Sequence, residues 1–364
     1  MNIAICVATP FQAMNAINLA CNTFEQSDRK VLLYRNFSDL SNDILLGIKK
    51  YSIFDKIYEY DLISKDNKLV YLFNDFVQAV FPEIFVKWII KDCITLKEEA
   101  FNYITFTSGT ELEVALTRIF PKAKTIAYDD GLGSYVGDII HDHKLYWIWK
   151  ILGRKTSNIW PDCLYVNNVE FCDSTLTKNK KELLSLNKCT NQYKHMICDI
   201  FNVSQNTLYS ERPIVYLSQP LDEVKRYVNG YEDKIENVLK QFNQYGIYRK
   251  HPRDNHITKL NYKIDSSRCI WELICANQIT EENILVSVCS TTQIIPKIMY
   301  NKEPWIIFTY KLCGIEEGYI FKTRFNPIIQ KIKDKYCDKS KILEPKSFKE
   351  LEKMIYTILS YKKG

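Results

Sequence analysis

Short runs of consecutive apolar residues, each followed by a stretch with helical spacing, recur along most of the chain. "NIAICVA" leads into a helix opening at Thr9 and Pro10, a favourable N-cap and first-turn pair. "KVLLYRN", a helix around Leu40 to Lys50, and "FDKIYEY" come next. "NYITFTSG" runs into a helix from about Glu111, and "KTIAYDDG" follows. Strands that are apolar throughout, separated by helices, are the pattern of a parallel sheet covered on both faces. From about Asp138 to Ser210 this rhythm fades into polar sequence. It resumes with "RPIVYLSQPLDE", a helix over about Tyr231 to Tyr245, "YGIYRKHPR", a short element containing "WELICA", and "NILVSVCSTT" with its helix. "EPWIIFTY" is the last clear strand, and the end is helical and basic.

This alternation predicts two α/β domains, Rossmann-like parallel sheets facing a central cleft. Their expected bounds are 1–202 and 203–345, joined in the region of Val203 to Arg212, with a C-terminal helix over 346–364. A length of 364 residues fits two cores better than one.

Composition narrows the function classes. A hydrophobic share of 46% with 13% aromatics indicates a packed globular protein. The net charge of +6 is mild for this length and lacks the dense basic footprint of a nucleic-acid binder. None of the 12 cysteines forms a C-x-x-C pair, and most lie in apolar runs, so they read as reduced core residues of a cytoplasmic protein. "HDH" at His141 to His143 reads as a solvated loop, and no metal site is expected. The opening "MNIAICVATPFQ" reads as a first strand, not a signal peptide. No apolar run reaches the roughly 18 residues that span a bilayer. "GLGSYVG" misses the dinucleotide spacing and "GRKTS" lacks the glycines of a phosphate-binding loop, so neither a nicotinamide cofactor nor ATP is indicated.

Ligands of parallel α/β sheets bind where strands end at their carboxyl edge, so the strand exits carry the candidate chemistry. Asp129, Asp130 and Gly131 follow "TIAY". Side chains alternate along a strand, so at most one of the two carboxylates faces a ligand, where it could act as a general base. Arg249, Lys250, His251, Pro252 and Arg253 follow "YGIY"; the proline holds His251 extended, and the cations suit a phosphate. Ser290, Thr291 and Thr292 follow "NILVSVC" where a helix is due, a hydroxyl-rich anion site. Glu272 in "CIWELICA" is a candidate partner for ribose hydroxyls. An Asp-Gly turn, a basic loop, an N-cap and a surface glutamate are the competing structural readings.

In this order and after these strands, "YDDGLGSY", "KHP" and "CSTT" resemble the motifs of bacterial sialyltransferases. "ATPFQAMNAINL", "YLSQPLDE" and "WEL" look most like glycosyltransferase family 52, which contains lipooligosaccharide and capsular sialyltransferases. The third motif reads Ser-Thr-Thr here in place of Ser-Ser.

The resemblance implies a GT-B fold whose first domain binds an acceptor, with Thr9, Pro10, Gln12 and Gly131 on that side. The second domain would bind CMP-sialic acid through Lys250, His251, Pro252, Glu272, Ser290, Thr291 and Thr292, with Gln219 and Pro220 lining the donor pocket. It also implies inversion without a metal or other cofactor, and transfer to a galactose-type hydroxyl of a capsule or lipooligosaccharide, with an α-2,3 linkage. Asp130 is the first candidate base, with Asp129 and Asp222 as alternatives.

Other readings stay open. They are a polysialyltransferase or another nucleotide-sugar transferase, and a non-catalytic nucleotide-sugar-binding protein. The aromatic-basic stretch "KLYWIWKILGRKTSNIW" leaves sugar stacking, peripheral membrane contact near a lipid-linked acceptor, or a buried helix. "FVQAVFPEIFVKWII" adds a homodimer interface to the same choices.

Overall fold

The structure, a computed structural model, describes residues 1–35, 39–61, 73, 74, 76–78, 80–90, 96, 98–107, 111–136, 161–203, 207–221, 230–315, 318 and 321–361, with Asp39 as backbone only. His141 to His143, the stretch 144–160 and Asp222 lie outside the described residues. The chain divides into two compact units, Met1–Asn202 and Val203–Gly364.

In the first unit seven strands stand in the order β3-β2-β1-β4-β5-β6-β7. They are β1 (Asn2–Val7), β2 (Arg29–Arg35), β3 (Lys56–Tyr60), β4 (Tyr103–Phe106), β5 (Lys124–Tyr128), β6 (Cys163–Val166) and β7 (Lys180–Glu182). Every ladder between them is parallel. The second unit has six parallel strands in the order β10-β9-β8-β11-β12-β13. These are β8 (Ile214–Leu217), β9 (Gly246–Arg249), β10 (Lys263–Ile264), β11 (Ile284–Ser287), β12 (Trp305–Phe308) and β13 (Ile342–Leu343).

Among the helices are α1 (Pro10–Asn22), α2 (Asp39–Lys50), α3 (Pro82–Ile89), α4 (Glu111–Ile119), α5 (Leu132–Val136), α6 (Asn191–Ile200), α7 (Leu208–Glu211), α8 (Tyr231–Leu239), α9 (Trp271–Asn277), α10 (Ile295–Tyr300), α11 (Asn326–Lys335) and α12 (Phe348–Tyr361). No helix among the described residues is long and apolar enough to cross a membrane.

The uninterrupted apolar strands are explained by burial on both faces. Ala4, Cys6, Val31, Leu33 and Ile104 join one core with residues of α3 and α4. The intervening Ile3, Ile5 and Leu32 point the other way and are equally inaccessible. Each such isoleucine or leucine removed from water contributes about 1.5–3 kcal/mol. In α3, Phe85, Val86 and Ile89 are buried, whereas Ile84, Trp88 and the preceding Phe81 are exposed, and Phe73 stacks on Trp88 with centroids 6.2 Å apart.

The region that sequence periodicity left irregular holds β6, β7 and α6 together with short 3₁₀ turns. β7 reads Lys-Lys-Glu and has no apolar signal. Helix α6 carries only Tyr193, Ile197 and Ile200 inward, and Thr190 caps it by accepting from Tyr193 N–H at 3.2 Å. The expected helix over 231–245 is α8 followed by a 3₁₀ stretch, Lys240–Tyr245.

Packing leaves no room for a side chain where β9 begins. A Cβ on Gly246 would sit 2.3 Å from the ring of Tyr262. That ring is buried and its hydroxyl donates to Leu239 O at 3.0 Å, so it has little room to retreat. Gly246→Ala should therefore destabilise the protein by about 1–3 kcal/mol. Thermal unfolding would show this as a lower Tm, and an unchanged Tm would mean that the ring yields.

Candidate active site

In the first unit the candidate carboxylates stand where β5 ends, and they have different roles in the packing. Asp129 is 1% exposed, and its oxygens are consumed by the protein itself. Oδ1 accepts from Gly131 N–H at 2.8 Å. Oδ2 accepts from the Tyr135 hydroxyl at 2.6 Å and from the Asn167 side-chain and backbone N–H groups at 2.8 and 3.1 Å. The Asp129 carbonyl accepts from Asn15 Nδ2 at 2.9 Å. The carboxylate thus ties α5 to the exits of β5 and β6, and the carbonyl of the same residue adds α1. Burial pushes its pKa up, opposed by the bonds from Tyr135, Gly131 and Asn167.

Asp130 is half-buried and faces the other way, as the alternation along β5 requires. Its Oδ1 accepts from Gln12 Nε2 at 2.7 Å, and its N–H donates to Ser134 Oγ at 2.9 Å. Among the described residues Oδ2 has no hydrogen-bond partner. Burial lifts the carboxyl from 3.8 to about 6; the bond from Gln12 pulls it down and the charge of Asp129 pushes it up. Gly131 follows with φ +99° and open space around its Cβ position, so backbone conformation is what calls for glycine there.

The residues expected on the acceptor side gather at this point. Thr9 caps α1, accepting from Gln12 N–H at 3.2 Å, and Pro10 occupies its first turn. Gln12 is the link to Asp130. Sequence reasoning passed over Asn15, Ser134, Tyr135 and Asn167. A signal for the first was present: α1 is largely apolar yet carries amides at 12, 15 and 18, three residues apart and all buried.

In the second unit the expected donor residues other than Glu272 leave three adjacent strands, β9, β8 and β11. Strand order reverses between β8 and β11, the position where open parallel sheets bind ligands. Ser218 Oγ accepts from His251 N–H at 2.8 Å. His251 Nδ1 accepts from Arg253 N–H at 3.1 Å, so the neutral ring carries its proton on Nε2. Gln219 Oε1 accepts from Cys289 N–H at 3.0 Å and so ties the β8 exit to the β11 exit. Lys250 and Pro252 are exposed on the β9 exit, and Pro220 is half-buried beside Gln219.

Two local expectations are corrected. Arg249 does not contribute to a phosphate-facing cluster. It is paired with the buried Asp265, donates to Cys269 O at 2.6 Å, and lies over the Trp271 ring with its guanidinium carbon 5.5 Å from the centroid. Three of the backbone N–H groups after Ser290, those of Thr292, Gln293 and Ile294, are taken up within the loop and are not available to an anion either. Thr292 N–H reaches Ser290 Oγ at 3.3 Å, Gln293 N–H reaches Ser290 O at 3.1 Å, and Ile294 N–H reaches Thr291 O at 3.1 Å.

What this loop offers is hydroxyls. Ser290 Oγ and Thr292 Oγ1 lie 2.6 Å apart, and the Thr291 hydroxyl has no partner among the described residues. Trp271 Nε1 donates to Thr292 O at 2.7 Å and so ties α9 to this loop, with half-buried Glu272 in the first turn of α9.

Asp233, Glu236 and His256 bring ligand-type atoms within 4.8 Å of one another. Lys259 already serves this cluster, donating through Nζ to Asp233 and through its backbone N–H to Glu236, both at 2.7 Å.

In sequence the chain matches no protein-family model and no curated protein. In structure it is similar to the glycotransferase of kitacinnamycin, at TM-score 0.53 and 7% identity over 98% of this chain and 90% of that one. It is similar to a spinosyn rhamnosyltransferase at TM-score 0.52 and 8% identity, over 99% and 91%. UDP-GlcNAc 2-epimerase from Neisseria meningitidis, bound to UDP-GlcNAc, gives TM-score 0.51 and 11% identity, over 100% and 92%. At these identities the likeness establishes the fold: two parallel-sheet α/β units of GT-B type.

The two aspartates should separate cleanly. Asp129→Asn places an amide N–H₂ among donors and removes a charge that several bonds satisfy, at a cost of roughly 2–4 kcal/mol. That is a Tm lower by roughly 5–15 °C. Both carboxyl pKa values are raised, but among the described residues the Asp130 carboxylate accepts from a single donor, Gln12, so little bonding is lost with its charge. Its carboxyl pKa is raised to about 6, so the folded state holds the proton more tightly, and ionising it costs stability as pH rises through that range. Asp130→Asn should leave the Tm at pH 7 unchanged or higher. Equal losses in both variants would contradict the assignment.

Proposed function

We propose that the protein is an inverting, metal-independent sialyltransferase that moves sialic acid from CMP-sialic acid to a galactose-type hydroxyl of a bacterial surface glycan. The observation that supports it best is the grouping at the strand reversal of the second unit. His251, with its proton on Nε2, and the hydroxyls of Ser290, Thr291 and Thr292 leave the strands on either side of β8. That set suits one singly charged phosphodiester, as in CMP-sialic acid, which a histidine and hydroxyls can stabilise without a divalent ion. Glu272 is assigned to the ribose, and Lys250 with Pro252 to the edge of the donor pocket.

In the proposed step the acceptor hydroxyl loses its proton to Asp130 and its oxygen attacks the anomeric carbon. The bond from that carbon to the phosphate oxygen breaks, and the electron pair leaves with CMP. His251 donates a hydrogen bond or its Nε2 proton to the departing phosphate. Asp130 suits the base role because its carboxyl, at about 6, is ionised at neutral pH yet basic enough to accept a proton. Asp129 is spent on the fold.

A second reading is transfer from a different nucleotide sugar. It is favoured by the fold shared with the Neisseria meningitidis epimerase, which binds UDP-GlcNAc.

Incubation with CMP-sialic acid in EDTA, with and without lactose, should release CMP and form sialyl-lactose only when lactose is present. His251→Ala should lower kcat by roughly 10²-fold or more. Because the base must be ionised, kcat/KM should fall about tenfold per pH unit below pH 6 and level off above it. Turnover of a UDP-sugar with none of CMP-sialic acid would move the assignment to the second reading. Donor binding without turnover across acceptors would make the chain a binding protein.

A further inference from the structure

We infer that Gln12 is the positioning residue of Asp130, delivering one fixed N–H to Oδ1 so that Oδ2 is the oxygen that meets the acceptor hydroxyl. The inference rests on the transferase reading for its consequence but on local geometry for its premise. Gln12 is 2% exposed, and both ends of its amide are committed. Its Oε1 accepts from Ala8 N–H at 2.6 Å, and its Nε2 donates to Asp130 Oδ1 at 2.7 Å. The backbone N–H of Ala8 decides which way round the amide sits. The reversed orientation would set N–H₂ against N–H at one end and carbonyl against carboxylate at the other. Thr9 then holds the Gln12 backbone through its capping bond. The chain between β1 and α1 is thereby built to aim one amide at the end of β5.

The residue type matters for the chemistry. A lysine here would pair with the carboxylate and leave it a weak base. A glutamate would add a like charge, and an apolar side chain would leave Oδ1 unpaired. A neutral donor gives a modest pull toward ionisation, set against burial and against Asp129. The other titratable groups nearby are already engaged. Tyr128 donates to Cys6 O from the end of β5, and Tyr135 on α5 donates to Asp129. Glu113 on α4 accepts from Thr107 N–H at 3.1 Å. Among the described residues no cation contributes to the Asp130 shift.

The test is the carboxyl titration of Asp130, followed by ¹³C NMR in the full chain and assigned with Asp130→Asn. The wild type is compared with Gln12→Met and Gln12→Glu. Gln12→Glu keeps an acceptor for Ala8 N–H, so it preserves the entry to α1 if the methionine variant does not fold. Both variants should raise the midpoint by about one pH unit. The acid limb of kcat/KM should move with it, giving a roughly threefold loss at pH 6.5 that is regained at pH 8.5. A midpoint that does not move in either variant overturns the inference, as does a loss of activity that is uniform across pH. If the midpoint moves but the wild type turns over no glycosyl donor, the role of Gln12 stands and the transferase reading falls.

Discussion

Parallel pairing is the constraint on which the rest of this structure depends. When every strand of a sheet runs the same way, every strand exit opens on one edge, and each chain must return along a covered face before pairing again. The cost is an edge lined with backbone and side-chain polar groups that neither sheet hydrogen bonds nor bulk water fully satisfy. An unmet buried group costs about 1–3 kcal/mol, so these exits must be tied to one another. In the first unit the tie is Asp129, whose carboxylate gathers α5 and the β6 exit around β5 and whose carbonyl holds α1. A carboxylate that satisfies several donors at once is rigid, and rigidity at position 129 fixes where the next residue points.

Both units use a glutamine after their first strand for a related purpose. Gln12, beyond β1, crosses to Asp130 at the end of β5. Gln219, beyond β8, crosses to Cys289 at the end of β11. Each first strand borders the place where strand order reverses, so its exit is the natural support for a bridge across the edge. An amide suits this position because it donates and accepts at once and carries no charge to desolvate. The consequences differ. The first bridge ends on a titratable oxygen, whereas the second ends on backbone and steadies the loop that carries Ser290 to Thr292.

The apolar rhythm of the sequence was enough to place nine of these strands and the two-unit α/β plan, because strands buried on both faces need apolar residues at every position. Strands β10 and β13 are two residues long, and β7 is Lys-Lys-Glu, so at the sheet margins pairing leaves little hydrophobic trace. For the site, alternation along β5 told that only one aspartate could face outward, and the structure identifies it as Asp130. The partners of Asp129 come from positions up to 114 residues away, which no local pattern encodes. Arg249 read as one more cation of a basic loop. Its position as the last residue of a strand, opposite a buried aspartate brought in from the β10 exit, turned it inward instead.

The proposed transfer requires the edge formed by β9, β8 and β11 to hold the phosphate of a cytidine nucleotide. The most direct measurement is a crystal structure of the protein with CMP bound. A phosphate oxygen is expected within about 3 Å of His251 Nε2 and another within reach of the Thr291 or Thr292 hydroxyl. A phosphate bound away from these residues, or no ordered CMP at concentrations that saturate the protein in solution, would contradict it.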